Sequence, residues 1–312
     1  MTSSEIIAVL PGTLTSSVHV QLQFVPAHGY TAVLAQHPRS AIKLPLSRKD
    51  VLLTAAQRQA WLEQCMQCGT VLPFGMDSMI DQADVPALIA ANRPLLDALA
   101  SRFAGKVQFQ VTVSWDPQGV LSKFRNSPEL SGLFGEVSIA PDKLSLSVKA
   151  LSERLQNQIL HLLEKVASEV LQLPVTDDML TNSVVLVETS RLAELDQTIE
   201  AIDAIWTEGL RIKQIGPAPA ASFASLAPRK ITARDIEIAL ETIGSRPHDT
   251  QQDIARARRD ALLQSPLAAA DIKRSAEIID AAFRVGTNNQ AFFLCTAISD
   301  GQAAFVTQRK VA

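Results

Sequence analysis

The segment 107–115 restricts the fold more than any other, because it alternates apolar and polar residues without exception, in the order Val, Gln, Phe, Gln, Val, Thr, Val, Ser, Trp. Successive side chains of a β-strand point to opposite faces of the sheet, so this pattern predicts a strand with one buried face. Patterns with the period of an amphipathic helix lie on both sides of the strand. We therefore expect an α+β fold.

Before this strand, the sequence predicts a small sheet covered by two helices. The helices are expected from Asp50 to about Cys68 and from Val85 to Arg102. No Asp, Glu, Lys or Arg occurs between Ile6 and Pro38. This favours strands covered by other elements, with an exposed sheet edge for another protein as the alternative. The strand patterns of this part are found at 6–10, 18–24 and 30–35.

After the strand, strand and helix patterns alternate along the chain. The sequence predicts one long helix over about 143–172, a strand at Val184–Val187, a helix between Leu192 and Trp206, and a strand from Leu210 to Ile215. This order resembles a ferredoxin-like unit. One strand of such a unit, between the long helix and Ser183, is not placed by the sequence.

The last part of the chain has a helical character. Thr232 and Asp235 have the spacing of a capping box, and further helices are predicted at 249–263 and 266–285. Two short strands, 291–298 and 303–306, are expected to form a closing hairpin. The predicted division is an N-terminal α+β domain (1–104), a ferredoxin-like α+β domain (105–226), and a helical extension ending in a β-hairpin (227–312).

Composition and charge exclude several classes of protein. Hydrophobic residues make up 47% of the 312 residues, which is enough for sizeable cores. The balance of 29 basic against 32 acidic residues gives a net charge of −3, and 10 basic residues face 9 acidic ones even in the arginine-containing segment 228–285. We therefore expect no nucleic-acid partner. The apolar N-terminal run stops at Pro11 and His19, Gln21 and Gln23 interrupt the uncharged stretch, so neither an export signal nor a membrane span is expected.

Cys65 and Cys68 form the one arrangement that suggests redox or metal chemistry. Cys295 is the only other thiol, no histidine lies near the pair, and both cysteines fall on the apolar face of the predicted helix. Buried free thiols are therefore favoured, in a reduced cytoplasmic protein. The five histidines are scattered, and neither a nucleophile motif, a P-loop nor a dinucleotide-binding glycine set is present. We expect no enzyme activity, no cofactor and no metal.

Two short motifs are similar to those of a known family. The segment 71–75, Val-Leu-Pro-Phe-Gly, resembles the "V-L-P-x-R-F-G-T" signature of the gas vesicle protein F/L family (GvpL/GvpF). The segment 216–223, Gly-Pro-Ala-Pro-Ala-Ala-Ser-Phe, resembles its closing "T-G-P-W-P-P-Y-S-F", and 183–187 stands where the family has an "F-L-V" strand. The resemblance covers about 5–226. The chain departs from the family at Gln57 and Arg58, where His-Glu is usual, and at the Trp and Tyr of the closing motif, which are Ala here.

The resemblance implies a non-enzymatic accessory or minor structural protein of gas vesicle assembly, located at the gas vesicle in the cytoplasm. It would bind the small hydrophobic shell protein (GvpA-like), together with other gas vesicle accessory proteins, during nucleation or growth. For Phe74, the burial ranking of phenylalanine favours the core, and presentation at a surface is the alternative. The residues expected to form the partner-binding site are Leu22, Phe24, Leu72, Pro73, Phe74, Gly75, Gly216, Pro217, Pro219 and Phe223.

Two other functions remain open from the sequence. The first is a cytosolic redox or small-molecule-binding protein that uses the Cys65 and Cys68 pair. The second is a regulatory ligand-binding domain with a helical output module after Pro228.

Overall fold

The computed structural model of the protein describes residues 3–14, 20–35, 47–116, 118–134, 141–246, 249–265, 269–286 and 291–300. The strands are β1 (Ser3–Pro11), β2 (Leu22–Ala27), β3 (Tyr30–Ala35), β4 (Leu72–Pro73), β5 (Met79–Asp81), β6 (Lys106–Trp115), β7 (Glu169–Gln172), β8 (Met179–Glu188), β9 (Leu210–Ala218), β10 (Ser225–Ile231) and β11 (Phe292–Ile298). The helices are α1 (Arg48–Cys65), α2 (Val85–Phe103), α3 (Val120–Lys123), α4 (Pro141–Val166), α5 (Leu192–Asp203), α6 (Ala233–Ile243), α7 (Gln251–Gln264) and α8 (Ala269–Val285).

These elements form two compact units. Unit 1 combines the chain up to Arg102 with Ala224–Ile298, and unit 2 is built from Phe103–Phe223. The three-part division expected from the sequence therefore differs from the observed one, because the described part of the predicted extension folds together with the N-terminal part. The antiparallel sheets and their helices give the α+β class that the sequence predicted.

The N-terminal part of unit 1 is a mainly antiparallel sheet with the order β2-β3-β1-β4, and β5 also pairs with β1. Helix α1 covers one face, where Trp61, Leu62 and Cys65 lie in a common core cluster with Leu22 and Val33. The strands predicted at 6–10 and 30–35 are confirmed. In the prediction for 18–24, residues 18 and 19 lie outside the described residues, and the observed strand begins at Leu22.

The C-terminal part completes unit 1 through an antiparallel pair, β10 and β11, and through α6, α7 and α8. The Arg284 guanidinium donates hydrogen bonds to the carbonyl oxygen of Ala91 in α2 at 2.8 and 3.1 Å. The main-chain N–H of Gly75 donates to the Leu226 oxygen at 2.8 Å. These contacts explain why the extension is not a separate domain. The core cluster that α2 shares with this part contains Ala91, Ile231, Ile236, Leu240, Ile243, Ile279 and Phe292.

The closing hairpin stays a prediction, and its first strand, β11, pairs with an earlier strand of the chain. Strand β11 pairs with β10, which precedes the three helices, in a register from Ser225 opposite Ile298 to Ile231 opposite Phe292. The predicted partner 303–306 lies outside the described residues. The capping box is confirmed, since Thr232 accepts from the Asp235 N–H and the Asp235 carboxylate accepts from the Thr232 N–H.

Unit 2 contains a four-stranded antiparallel sheet with the order β7-β8-β6-β9 and the helices α4 and α5. With the chain order strand, helix, two strands, helix, strand, this is the ferredoxin-like arrangement. The strand that the sequence did not place is β7. It begins where the predicted long helix was expected to continue, because the Ser168 N–H and hydroxyl both donate to the Leu186 oxygen of β8, at 2.8 and 3.0 Å.

Candidate partner-binding site

A buried arginine organises the first family motif. Arg58 lies on α1 with 6% of its surface exposed, and its guanidinium pairs with the carboxylate of Glu5 in β1. The same guanidinium donates to the carbonyl oxygens of Phe74 at 2.6 Å, Gly75 at 3.1 Å and Ile7 at 3.3 Å. Burial lowers the pKa of Arg58, and the negative charges of Glu5 and Asp77 act in the opposite direction. The arginine therefore fixes the backbone of the motif from the helix side.

Main-chain hydrogen bonds fix the same motif from its other sides. The Phe74 N–H donates to the Ile7 oxygen at 2.9 Å, and Pro73 lies opposite Ala8 in the sheet register. After the motif, the Ser78 hydroxyl donates to the Gly75 oxygen at 2.8 Å. The segment from β4 to β5 is thus hydrogen-bonded to β1, β10 and α1.

The predicted site residues of unit 1 are mostly buried. Phe74 is 2% exposed, and the structure places it in the core, as the burial ranking favoured. Phe24 is half-buried against the core cluster under α1, and Gly75 is partly exposed. Most of these side chains are therefore not accessible to a partner in the folded protein. The remaining buried members are Leu22 (4% exposed), Leu72 (1%) and Pro73.

The closing motif belongs to unit 2, where it forms a close-packed exit from β9. Gly216 has a φ of 141°, and a Cβ there would lie 2.7 Å from the Phe109 ring, so only glycine fits. The side chain of Gln108 accepts a hydrogen bond from the Ser222 N–H at 3.0 Å. Gly216 and Pro217 are exposed, whereas Pro219 is buried and Phe223 is 6% exposed. The two motifs lie in different units.

Five exposed apolar side chains lie on the two segments that Arg58 joins, α1 and the loop after the first motif, and sequence reasoning did not propose them as a site. We call them the apolar rim: Val51, Leu52 and Leu53 on the first turns of α1, and Met76 and Met79 beside the loop that Arg58 holds. Their exposed fractions are 43, 62, 59, 51 and 45%, respectively. Val51 lies seven residues before Arg58, and therefore on the same face of α1. The sequence does contain a signal for these residues, which is the run of three consecutive apolar residues in the first turns of α1. Three consecutive residues cannot all lie on the buried face of an amphipathic helix, so part of the run must be exposed.

The turn that carries Met76 is held in an unusual conformation. Asp77 has a φ of 60°, which is uncommon for a residue with a side chain. The Ile6 N–H donates to the Ser78 oxygen at 2.8 Å, which ties the end of the turn to β1. The two methionines are therefore presented on an ordered backbone.

The burial and the thiol pKa of the cysteine pair differ from those of a redox site. Cys65 is fully buried, and burial, with Cys68 as a second cause, raises the pKa of its thiol to about 12. Reactive cysteines instead have a lowered pKa and solvent access. Within the described residues, no three His, Cys, Asp or Glu side chains cluster as metal ligands would. In the same part of the chain, no helix combines the length and apolarity needed to span a bilayer.

Comparison with known structures identifies the class of protein. The chain resembles the crystal structure of the gas vesicle protein GvpF from Anabaena sp. PCC7120, with a TM-score of 0.57 and 20% sequence identity over 72% of this chain and 98% of the other. GvpF from Microcystis aeruginosa gives 0.55 and 20% over 72% and 99%. The chain thus shares its fold with these two GvpF structures. A comparison with curated proteins found no match.

The family follows from the sequence match. Residues 15–225 match the model of the family described as "Gas vesicle synthesis protein GvpL/GvpF". The chain belongs to this family, as the two motifs predicted. The family match ends at the start of β10, so α6, α7, α8 and β11 lie beyond it.

Proposed function

We propose that this protein is an accessory protein of gas vesicle assembly that binds the small hydrophobic shell protein (GvpA-like) during nucleation or growth. It works by binding, without a catalytic step, at the gas vesicle and beside other accessory proteins. Membership of the GvpL/GvpF family supports the gas vesicle role. The partner assignment is supported by the surface described above.

The apolar rim is the observation that carries the proposal. Large apolar side chains grouped on a soluble protein mark surfaces for other proteins or lipids. Methionine suits such a surface because its flexible thioether adapts to a partner. An ordered loop lowers the entropy lost on binding. A small hydrophobic subunit is the kind of partner that such a surface fits.

The residues of the two family motifs keep a place in this proposal. Leu22, Leu72 and Phe74 are buried in the core of unit 1, while Phe24 and Gly75 are partly exposed. In unit 2, the exposed Gly216 and Pro217 form a second contact, which the buried Pro219 and Phe223 hold in place.

Co-expression of the full chain with the shell protein tests the proposal. A tag on this chain is used to recover the complex, and the retained shell protein is quantified. Leu52→Asp and Met76→Asp place charges in the rim at exposed positions, so the fold is expected to survive. The matched controls are Leu146→Asp and Leu263→Asp, which change side chains that are 69 and 81% exposed elsewhere.

We expect the rim variants to lose most of the retained shell protein and the controls to keep it. Equal retention by all four variants, with circular dichroism unchanged, would remove the rim from the interface. Cys68→Ser is expected to bind as the parent does, because the thiol pair has a packing role. Loss of binding in that variant alone would instead favour a function of the cysteine pair.

A further inference from the structure

A cleft in the C-terminal part of unit 1 is not used by the proposed function. It has a volume of about 770 Å³ and is lined by α2, α8, β10 and β11. Much of its wall is apolar, with contributions from Leu95, Ile278, Leu294 and Ala297. Most of its lining lies beyond the part of the chain that matches the family.

The charges around the cleft are strongly unequal. Arg229, Lys273, Arg274 and Arg284 line it, against the single carboxylate of Glu277. Two of the arginines already have partners, since Arg229 pairs with Asp235 at 2.7 Å and Arg284 donates to Ala91. Lys273 and Arg274 are exposed and make neither a hydrogen bond nor an ion pair within the described part of the chain. They are free to bind an anionic partner.

The wall of the cleft contains the outer edge of β11. The register pairs Pro228 with Cys295, and Pro228 has no N–H. The Cys295 N–H turns away from β10 and donates to the side chain of Asn92 at 2.6 Å. The Asn92 amide in turn donates to the Phe293 oxygen at 2.8 Å. The side-chain amide of Asn92 thus makes the two hydrogen bonds that the main chain of one residue in an added strand would make at this edge.

The same edge of β11 carries a further pair of main-chain groups beyond those held by Asn92. Because side-chain and hydrogen-bonding directions alternate along a strand, the Cys295 carbonyl and the Ala297 N–H point to the same side as the groups held by Asn92. The residues that the structure describes form no hydrogen bond to either group. Both residues line the cleft. An open edge of this kind binds an extended peptide by adding a strand.

We propose that the cleft binds an extended, acidic and apolar segment of a partner protein as an added strand on β11. The main chain of the segment bonds to Cys295 and Ala297, its carboxylates lie against Lys273 and Arg274, and its apolar side chains contact Leu95 and Leu294. Charge complementarity selects this occupant over a neutral or basic segment. The proposal does not depend on the binding of the shell protein.

Fluorescence anisotropy with the full chain tests this inference. The probe is a short fluorescein-labelled peptide in which glutamate alternates with valine. The first control peptide has lysine in place of glutamate, and the second has the acidic sequence with alternate backbone nitrogens methylated. The double variant Lys273→Glu/Arg274→Glu reverses two exposed charges at the cleft, and Arg256→Glu/Arg259→Glu makes the same change in net charge on α7.

We expect the acidic peptide to bind, and the lysine and methylated peptides to bind at least about tenfold more weakly. The cleft variant is expected to weaken binding of the acidic peptide about tenfold, and the α7 variant less than about twofold. Equal losses in the two double variants would overturn the charge assignment. Equal binding of the methylated peptide would overturn strand addition. Self-association of the full chain that the cleft variant abolishes would assign the cleft to a second copy and overturn the proposal.

Discussion

Replacing Arg58 with methionine is expected to destabilise unit 1 strongly. Methionine keeps much of the length and apolar volume of the side chain and removes only the guanidinium. The buried carboxylate of Glu5 then loses the guanidinium, the carbonyl oxygen of Phe74 loses a donor, and that of Gly75 keeps only the Ser78 hydroxyl. The loop that leads to Met76 and Met79 loses its attachment to α1.

The expected magnitude follows from the burial of the pair. The side chains of Arg58 and Glu5 are 8 and 9% exposed, so solvent screens their interaction very little. Removing one partner of a buried ion pair lowers the free energy of unfolding by about 3–5 kcal/mol. The double variant Arg58→Met/Glu5→Gln removes the buried carboxylate charge as well, and we expect it to regain more than half of the loss.

Hydrogen–deuterium exchange measures the effect in each unit separately. Exchange of α1 amides through unfolding of unit 1 is expected to accelerate roughly 10²-fold to 10³-fold or more, while α5 in unit 2 keeps its parental rate. The control is Arg234→Met, whose pair with Glu237 is 69 and 54% exposed and contributes at most about 1 kcal/mol. Exchange of α1 in Arg58→Met within about twofold of the parent would refute the reasoning that the pair holds the loop.

Three further outcomes are expected. At pH 8 a thiol reagent should modify the half-buried Cys68 well before the buried Cys65 and Cys295, and all three should react in urea. Fast reaction of all three thiols in the native chain would contradict the packing. Burial raises the thiol pKa of Cys65 and Cys295 to about 12. The contribution of the two protonated thiols to the free energy of unfolding is therefore fully present below the unfolded pKa of about 9 and is lost as the pH rises towards 12. Urea midpoints should fall over that pH range, and they should fall less in Cys295→Ala. Gly216→Ala should lower the stability of unit 2 by about 1–3 kcal/mol, since φ is 141° and the Cβ would meet the Phe109 ring, whereas an unchanged thermal midpoint would show that the exit from β9 relaxes freely.

Local patterns in the sequence predicted the elements that depend on local physics. The alternation in 107–115 predicts β6, and the spacing of Thr232 and Asp235 predicts the start of α6. Strand β7 was not predictable in this way, because three of its four residues are partly buried, the fourth is exposed, and no alternation results. The pairing of β10 with β11 joins residues about 70 positions apart, and no local pattern specifies such a register.

The candidate site was predicted only in part. The motif around Phe74 was found, but the apolar rim and Arg58 were not. A signal for Arg58 exists, because it lies three, four and seven residues before Trp61, Leu62 and Cys65 and so shares their buried face. Glu5 is the last charged residue before a long uncharged stretch, and it supplies the counter-charge. The sequence alone does not specify that these two side chains meet, since the pairing depends on the packing of α1 on β1.

The division of unit 1 between the two ends of the chain determines when it can mature during translation. Strand β10 and helix α8 leave the ribosome only after residues 103–223 of unit 2 have been synthesised. Until then, the Gly75 N–H has no Leu226 oxygen to bind, and the face of α2 around Ala91 stays uncovered. The nascent helix α2 therefore exposes apolar surface for as long as residues 103–223 are being made, which is an interval in which a chaperone can engage it.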